Sequence, residues 1–376
     1  MKIKLLCSLL AGGLMLGGFA ACNNKATGPQ TLKIGADLTF TGPTAYWSQQ
    51  LKKGLDLAVE EFNAKAEEKI EVVYQDNQGN APQAVSIFQR FATVDNVAVV
   101  MTCFTPIAKS LRPLAAQNGV PLVATVVSAL NFGAENEWSF RDFPPQDQQS
   151  NVLAAYARNT LKLKKVGAII VNDDYGRDGY TAFSTEFSRL GGKVFEYETA
   201  EQKDLDFKAQ VLKAIANKPD GLYVVIRDNA LGTLVKQLRE AGFTGQILGV
   251  NAFDAPVVWT AAGNAGEGVV FTSALMNFEG NPAALDFKNR FQAKYVGESP
   301  DWVAAYGYTI GNYLSPLLVA SKGNRDVMRK QLAELDRNSI RGQLKMSAGR
   351  DVLSPIGIYK RVGSEKKLIL STEPLK

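Results

Sequence analysis

The sequence predicts an α/β fold of two doubly wound lobes, each a sheet with helices on both faces. Three observations predict it. Short β-rich runs alternate with amphipathic stretches along most of the chain. The alternation breaks at Asp142-Phe-Pro-Pro-Gln and then restarts. The 376 residues are enough for two separate cores.

The runs 32–36, 70–74, 97–101 and 120–124 read as the strands of the first lobe. Between them, residues 50–65 place Leu51, Leu55, Ala58, Val59 and Phe62 on one helical face. Pro82 opens a second helix and Pro106 a third, with Thr105 as its expected N-cap. The prolines at 144 and 145 mark a passage between lobes. Strands then follow at 165–171, 193–197, 221–226 and 246–250, with helices near 178–190, 207–217 and 230–241. Gly191, Gly192 and Gly242 stand at helix ends, where left-handed residues belong. An irregular stretch at 273–282 precedes helices at 282–295 and 302–321, and strand-like runs at 356–360 and 367–370 close the chain. In doubly wound sheets, ligands bind beyond the carboxyl ends of strands. That rule nominates residues 103–105, 125–128, 172–175, 227–229 and 251–254.

The N-terminus carries a different signal. Lys2 and Lys4 precede an apolar run at 5–19 and then Ala20-Ala21-Cys22. A basic start, a short apolar run and small residues before a cut describe a secretory leader, here 1–21. The run is shorter than the ~20 residues of a spanning helix. The Ala-Ala-Cys ending resembles a bacterial lipobox, with Phe19 where Leu is usual, and implies lipidation at Cys22. The expected protein is exported and lipid-anchored to the cell membrane, in the periplasm or on the surface, through a tether at 22–31. The alternative is plain secretion with Cys22 incidental.

Composition narrows the function. The charge is +5, of which Lys2 and Lys4 leave with the leader, too mild for a nucleic-acid partner. Cys7 lies in the leader, so Cys103 is the one thiol beyond Cys22, and no intramolecular disulfide is expected. The chain has no histidine, which removes histidine-activated nucleophiles and histidine metal ligands. It has no G-x-S-x-G and no Walker loop, and Gly263, Gly266 and Gly268 form only a short glycine cluster. No catalytic residue, metal or cofactor is expected. A secreted carboxylate-dependent hydrolase is the enzymatic alternative.

Several segments, in order, carry a family resemblance: "LKIGADLTFTGPTAYWSQQLKKGLDLAVEEFNA", "YQDNQGNAPQAV", "FTPIAKSLRPLAAQNGVPLVATVVSA", "VGAIIVNDDYGRDG", "VKQLREAGFTGQILG" and "AGNAGEGVVFTS". The chain resembles the type I periplasmic binding proteins of branched-chain amino-acid ABC importers, the Venus flytrap receptors. That resemblance implies three crossovers, near 143–147, 273–278 and 343–349. The lobes would be 32–143 with 278–345, and 144–277 with 346–376. It also implies a monomer that binds a small carboxylate-bearing ligand and delivers it to an ABC permease. A sensory binding protein of the same fold is the alternative.

By the resemblance, Thr105 and Ser128 hold the ligand carboxylate, with the amide of Val126 nearby. Trp47 covers an apolar ligand group and Tyr175 closes from the second lobe. The residues themselves leave other roles open: a helix cap for Thr105, plain packing for Trp47, an exposed turn for Tyr175. Two positions depart from amino-acid binders. Asn251 stands where those receptors often hold the ligand ammonium with a carboxylate, and Arg227 stands where tyrosine is common. The gain of a cation and loss of an anion argue against a simple free ammonium. Arg227 would meet a second ligand carboxylate or form a salt bridge. Asp254 or Asp228 could replace the missing acid, or be a solvated loop acid or cap.

Overall fold

The computed structural model describes residues 31–372 apart from 277 and 279. The expected leader, Cys22 and residues 23–30 of the tether lie outside the described residues. The first lobe begins β1 (Leu32–Leu38), α1 (Ala45–Lys65), β2 (Ile70–Asp76), α2 (Ala81–Thr93), β3 (Val99–Cys103), α3 (Thr105–Asn118), β4 (Leu122–Thr125) and β5 (Ser139–Arg141). Its sheet runs β2-β1-β3-β4-β5, with every pair parallel. β1 therefore sends the chain outward on one side and β3 on the other, so the switch in strand order lies between them.

The chain crosses at 142–145 into α4 (Gln146–Asn159). There follow β6 (Lys165–Val171), α5 (Asp174–Arg189), β7 (Lys193–Ala200), α6 (Lys208–Ala216), β8 (Gly221–Val225), α7 (Asp228–Glu240), β9 (Gln246–Gly249), α8 (Pro256–Ala262) and β10 (Val270–Ala274). It then returns to the first lobe for α9 (Pro282–Lys294), α10 (Trp302–Ser321), α11 (Arg325–Ala333) and the hairpin β11 (Asp336–Ser339)–β12 (Gly342–Lys345). Last, it crosses back for β13 (Ile356–Val362) and β14 (Glu365–Thr372). The second sheet runs β14-β13-β10-β9-β8-β6-β7, and its switch lies between β6 and β8. It is not wholly parallel: β13 runs antiparallel to β10, and β14 to β13.

Local chemistry sets the helix starts. The Asn80 side chain accepts from Gln83 N at α2, Asp173 from Gly176 N at α5, and Asp301 from Ala304 N at α10. The Asp173 cap starts α5 a turn earlier than the apolar pattern predicts. α4 is absent from that pattern because its first turns bury Gln146, Gln148, Gln149 and Ser150 rather than apolar residues. α1 and α10 pack backbone to backbone: a Cβ on Gly307 would stand 2.1 Å from the Leu51 carbonyl oxygen, and one on Gly54 would stand 1.9 Å from that of Ala304.

The passages between lobes are bonded to one another. Arg141 grips Asp351 with Nε and Nη2 at 2.9 and 2.8 Å, and Val352 N donates to the Arg141 carbonyl. Leu275 N donates to the Pro355 carbonyl and Gln148 Nε2 to that of Ser354. The Arg341 side chain, 4% exposed, donates to both oxygens of Asp142 at 2.6 and 2.8 Å. The third passage occupies 346–355, beyond the 343–349 expected, because Gln343 is still paired with Asn338 inside the hairpin.

Candidate ligand-binding site

Both switch points face one small cavity between the lobes. The first lobe supplies Trp47 from the first turn of α1, Phe104 and Thr105 just after β3, and Val126 just after β4. The second supplies Tyr175 after β6, Arg227 after β8, and Asn251 and Ala252 after β9. The backbone here is strained. Phe104, Val126 and Asp228 follow β3, β4 and β8 with φ of 70°, 53° and 55°. Bulky or branched residues avoid this left-handed region, at a cost of roughly 1–3 kcal/mol each. Such residues persist where surrounding structure holds them in place, and here Phe104 and Val126 line the cavity.

Thr105 is not the cap of α3, as the sequence had suggested. Phe104 occupies the cap position without a side-chain cap bond, and Thr105 is the first helical residue. Its buried hydroxyl has no hydrogen-bond partner. The Tyr175 hydroxyl, Arg227 Nη2 and Asn251 Oδ1 are likewise buried without one. Burial lifts the Tyr175 phenol well above its usual range against the pull of Arg227, so it stays neutral. Unsatisfied buried polar atoms each cost about 1–3 kcal/mol, and four of them converge on this one cavity.

Arg227 forms a salt bridge, one of the two roles the sequence left open for it. Its Nη1 donates to Asp173 Oδ2 at 2.7 Å and to Gln202 at 3.2 Å, and its guanidinium lies 4.2 Å from the centre of the Tyr175 ring. Asp254 is committed elsewhere. It accepts from Ser273 Oγ at 2.6 Å, is ion-paired with Lys366, and does not line the cavity. Ser128 is buried but is not among the lining residues either, and its carbonyl accepts from Gln146 N. After Val126 the chain loops into β5 before it reaches the first crossover.

Asp228 is a buried acid beside the cavity, bonded to one of its lining residues without lining it itself. It is 2% exposed, and the Trp47 indole reaches across from the first lobe to donate to its Oδ1 at 2.7 Å. Its Oδ2 is buried without a partner. Burial pushes the carboxyl up to about 6, opposed by the Trp47 bond and by Arg227. The sequence named Asp228 only as an alternative to Asp254, because nothing in a linear reading separates a loop acid from a buried one. Two further contacts span the lobes: Lys109 with Asp174 at 3.0 Å, and Leu130 N with Asp178 Oδ2 at 3.5 Å.

The cavity holds about 20 Å³, room for one or two water molecules. A solute the size of an amino acid does not fit in a space of that volume. A larger groove of about 360 Å³ lies outside this site, between α9, α10 and the β11–β12 hairpin. Among the described residues no cluster of three or more His, Cys, Asp or Glu could hold a metal, and no helix is long and apolar enough to cross a membrane.

Residues 31–354 match the family model described as "Periplasmic binding protein". A Leu/Ile/Val-binding protein homolog 3 of Brucella melitensis is 28% identical over 310 residues, covering 81% of this chain and 82% of the relative. An amino acid binding protein of Pseudomonas aeruginosa is 27% identical over 299 residues, covering 77% and 78%. In fold, the chain is similar to a leucine binding protein of Thermotoga maritima, with TM-score 0.86 and 23% identity over 92% of this chain and 99% of the other. A solute binding protein of R. palustris, solved with benzoate, gives TM-score 0.83 and 22% identity over 92% and 97%. The chain belongs to the periplasmic binding protein family, has the fold of its type I members, and is a binding protein rather than an enzyme.

Proposed function

We propose that this protein is the extracytoplasmic receptor of an ABC importer and closes its two lobes on a small carboxylate-bearing solute. The observation that carries this reading is the set of orphaned polar atoms, contributed by both lobes, around the strained strand ends. A carboxylate fits the first-lobe wall. The Thr105 hydroxyl can donate to it, and the positive end of the 14-residue α3 attracts it. Trp47, Phe104 and Tyr175 offer ring faces to the rest of the molecule. Relatives named for leucine, isoleucine and valine, and a neighbour in fold solved with benzoate, support an acid of that size. Lobes 32–143 with 278–345 and 144–277 with 346–376 then move as bodies about the bonded passages. On this reading residues 1–21 export the chain and Cys22 anchors it, so that the receptor works as a monomer beside its permease.

The test is a thermal-shift panel of amino acids and small carboxylic acids, followed by small-angle scattering with each hit. A hit is expected to bind one-to-one and to shrink the radius of gyration, and Thr105→Val is expected to weaken it on the order of tenfold. A panel with no stabilising acid, or a scattering profile unchanged at saturation, defeats the proposal.

A further inference from the structure

We propose that Asp37 is a positioning residue for the first-lobe wall of the cavity, acting through a buried relay of hydrogen bonds and not on the solute itself. The inference rests on the reading that the solute binds between the lobes. Asp37 stands near the end of β1 and does not line the cavity. Asn77 Nδ2 donates to its Oδ1 at 2.8 Å, and Thr39 Oγ1 donates to Asn77 Oδ1 at 2.6 Å. The Thr39 amide donates to Ser48 Oγ at 3.0 Å, and Ser48 Oγ lies 3.3 Å from Cys103 Sγ. Each of these five residues is at most 1% exposed. The relay ends beside the wall on both flanks. Ser48 follows Trp47 on α1, and Cys103 precedes Phe104 and Thr105. Cut off from water, such a network passes a displaced bond along instead of exchanging it with solvent.

Asp37 is the member that can disturb it, because its Oδ2 has no partner. The titratable groups that act on it are Asp76 from the end of β2 and Cys103 from β3, whose thiol burial keeps neutral by pushing it up to about 12. Neither brings a positive charge. When Asp37 loses its proton, the buried anion draws its donors from the relay, Asn77 and Thr39, and the bond that holds Ser48 beside Trp47 weakens. Burial sets that loss at about 7. The wall is therefore held below that pH and loosened above it.

The experiment follows the Trp47 indole by fluorine NMR in fluorotryptophan-labelled protein, without solute, in a pH titration through 7. The Trp47 resonance is assigned by its loss in Trp47→Phe. Asp228 is bonded to the same indole and is itself raised to about 6, so the titration is repeated in Asp228→Asn. That variant should keep a step near 7. Adding Asp37→Asn should remove the step. Adding Ser48→Ala should remove it too, while the pH slope of the melting temperature that Asp37 causes remains. Calorimetry with leucine and with benzoate should show the affinity of wild type falling several-fold as pH rises through 7, and a flat profile in Asp37→Asn. The inference is overturned by a Trp47 resonance without the step, by a step that survives Asp37→Asn or Ser48→Ala, or by a bound probe whose affinity ignores pH. If the step behaves as expected and neither probe binds, the relay stands and the reading of the solute falls.

Discussion

Arg227 and Asp228 are sequence neighbours with opposite surroundings. The arginine is stacked on Tyr175 and neutralised by Asp173, whereas the acid beside it keeps an unpaired oxygen. Reading either one as a lone charge inverts the polarity of the site. Asp37 is a second buried acid, at the end of β1 in the first lobe. Asn77 Nδ2 donates to its Oδ1 at 2.8 Å, and its Oδ2 has no partner. Burial raises its carboxyl to about 7 from 3.8. The Asn77 bond opposes that rise and the nearby charge of Asp76 adds to it. Because the folded state holds this proton more tightly, the stability it contributes is complete below 3.8 and is lost as pH rises through about 7. Asp37→Asn should therefore raise the melting temperature at pH above 7 and flatten its decline between pH 4 and 7. Melting curves across that range check it, and a variant with the slope of the wild type would refute the assignment.

Among the elements, α1 and α10 show how a helix face can be legible while its packing is not. The apolar stripe of α1 was readable from Leu51, Leu55, Ala58 and Val59, all of which are buried. The partner was not, because close approach depends on Gly54, Gly307 and Gly311, which leave no apolar signal. Gly307→Ala should push its new methyl into the Leu51 carbonyl, a backbone atom that cannot swing away. We expect a loss of roughly 1–3 kcal/mol in chemical denaturation, with secondary structure retained. A variant as stable as wild type would mean that the two helices can slide apart freely. Two elements of the second lobe and one of the first escaped the pattern for related reasons. α4 opens on buried glutamines, α8 has seven residues, and β5 in the first lobe has three. None is long and apolar enough to show a period.

For the whole molecule, the two sheets meet at their switch points because the chain crosses between lobes three times. Bonds such as Arg141–Asp351 hold those crossings together. A solute-binding receptor must also stay near its permease, and residues 1–22 carry the means proposed for that. Cys22→Ser removes the single thiol that could accept lipid there. The variant should leave the membrane fraction and lose the mass of the acyl groups, as fractionation and mass spectrometry would reveal. Continued acylation or membrane retention would refute the anchor.

The sequence by itself determined the fold class, the family and six residues of the cavity wall: Trp47, Thr105, Val126, Tyr175, Arg227 and Asn251. It could do so because strand periodicity and the position of strand ends are local properties, written in consecutive residues. Only the tertiary structure decided what those residues face. It left Ser128 and Asp254 off the cavity wall, paired Arg227 with Asp173, and joined Trp47 to Asp228 across 181 positions of sequence. Burial and hydrogen-bond satisfaction arise from neighbours brought together by folding, and these decide which of several equivalent-looking side chains is left with an atom free for a ligand.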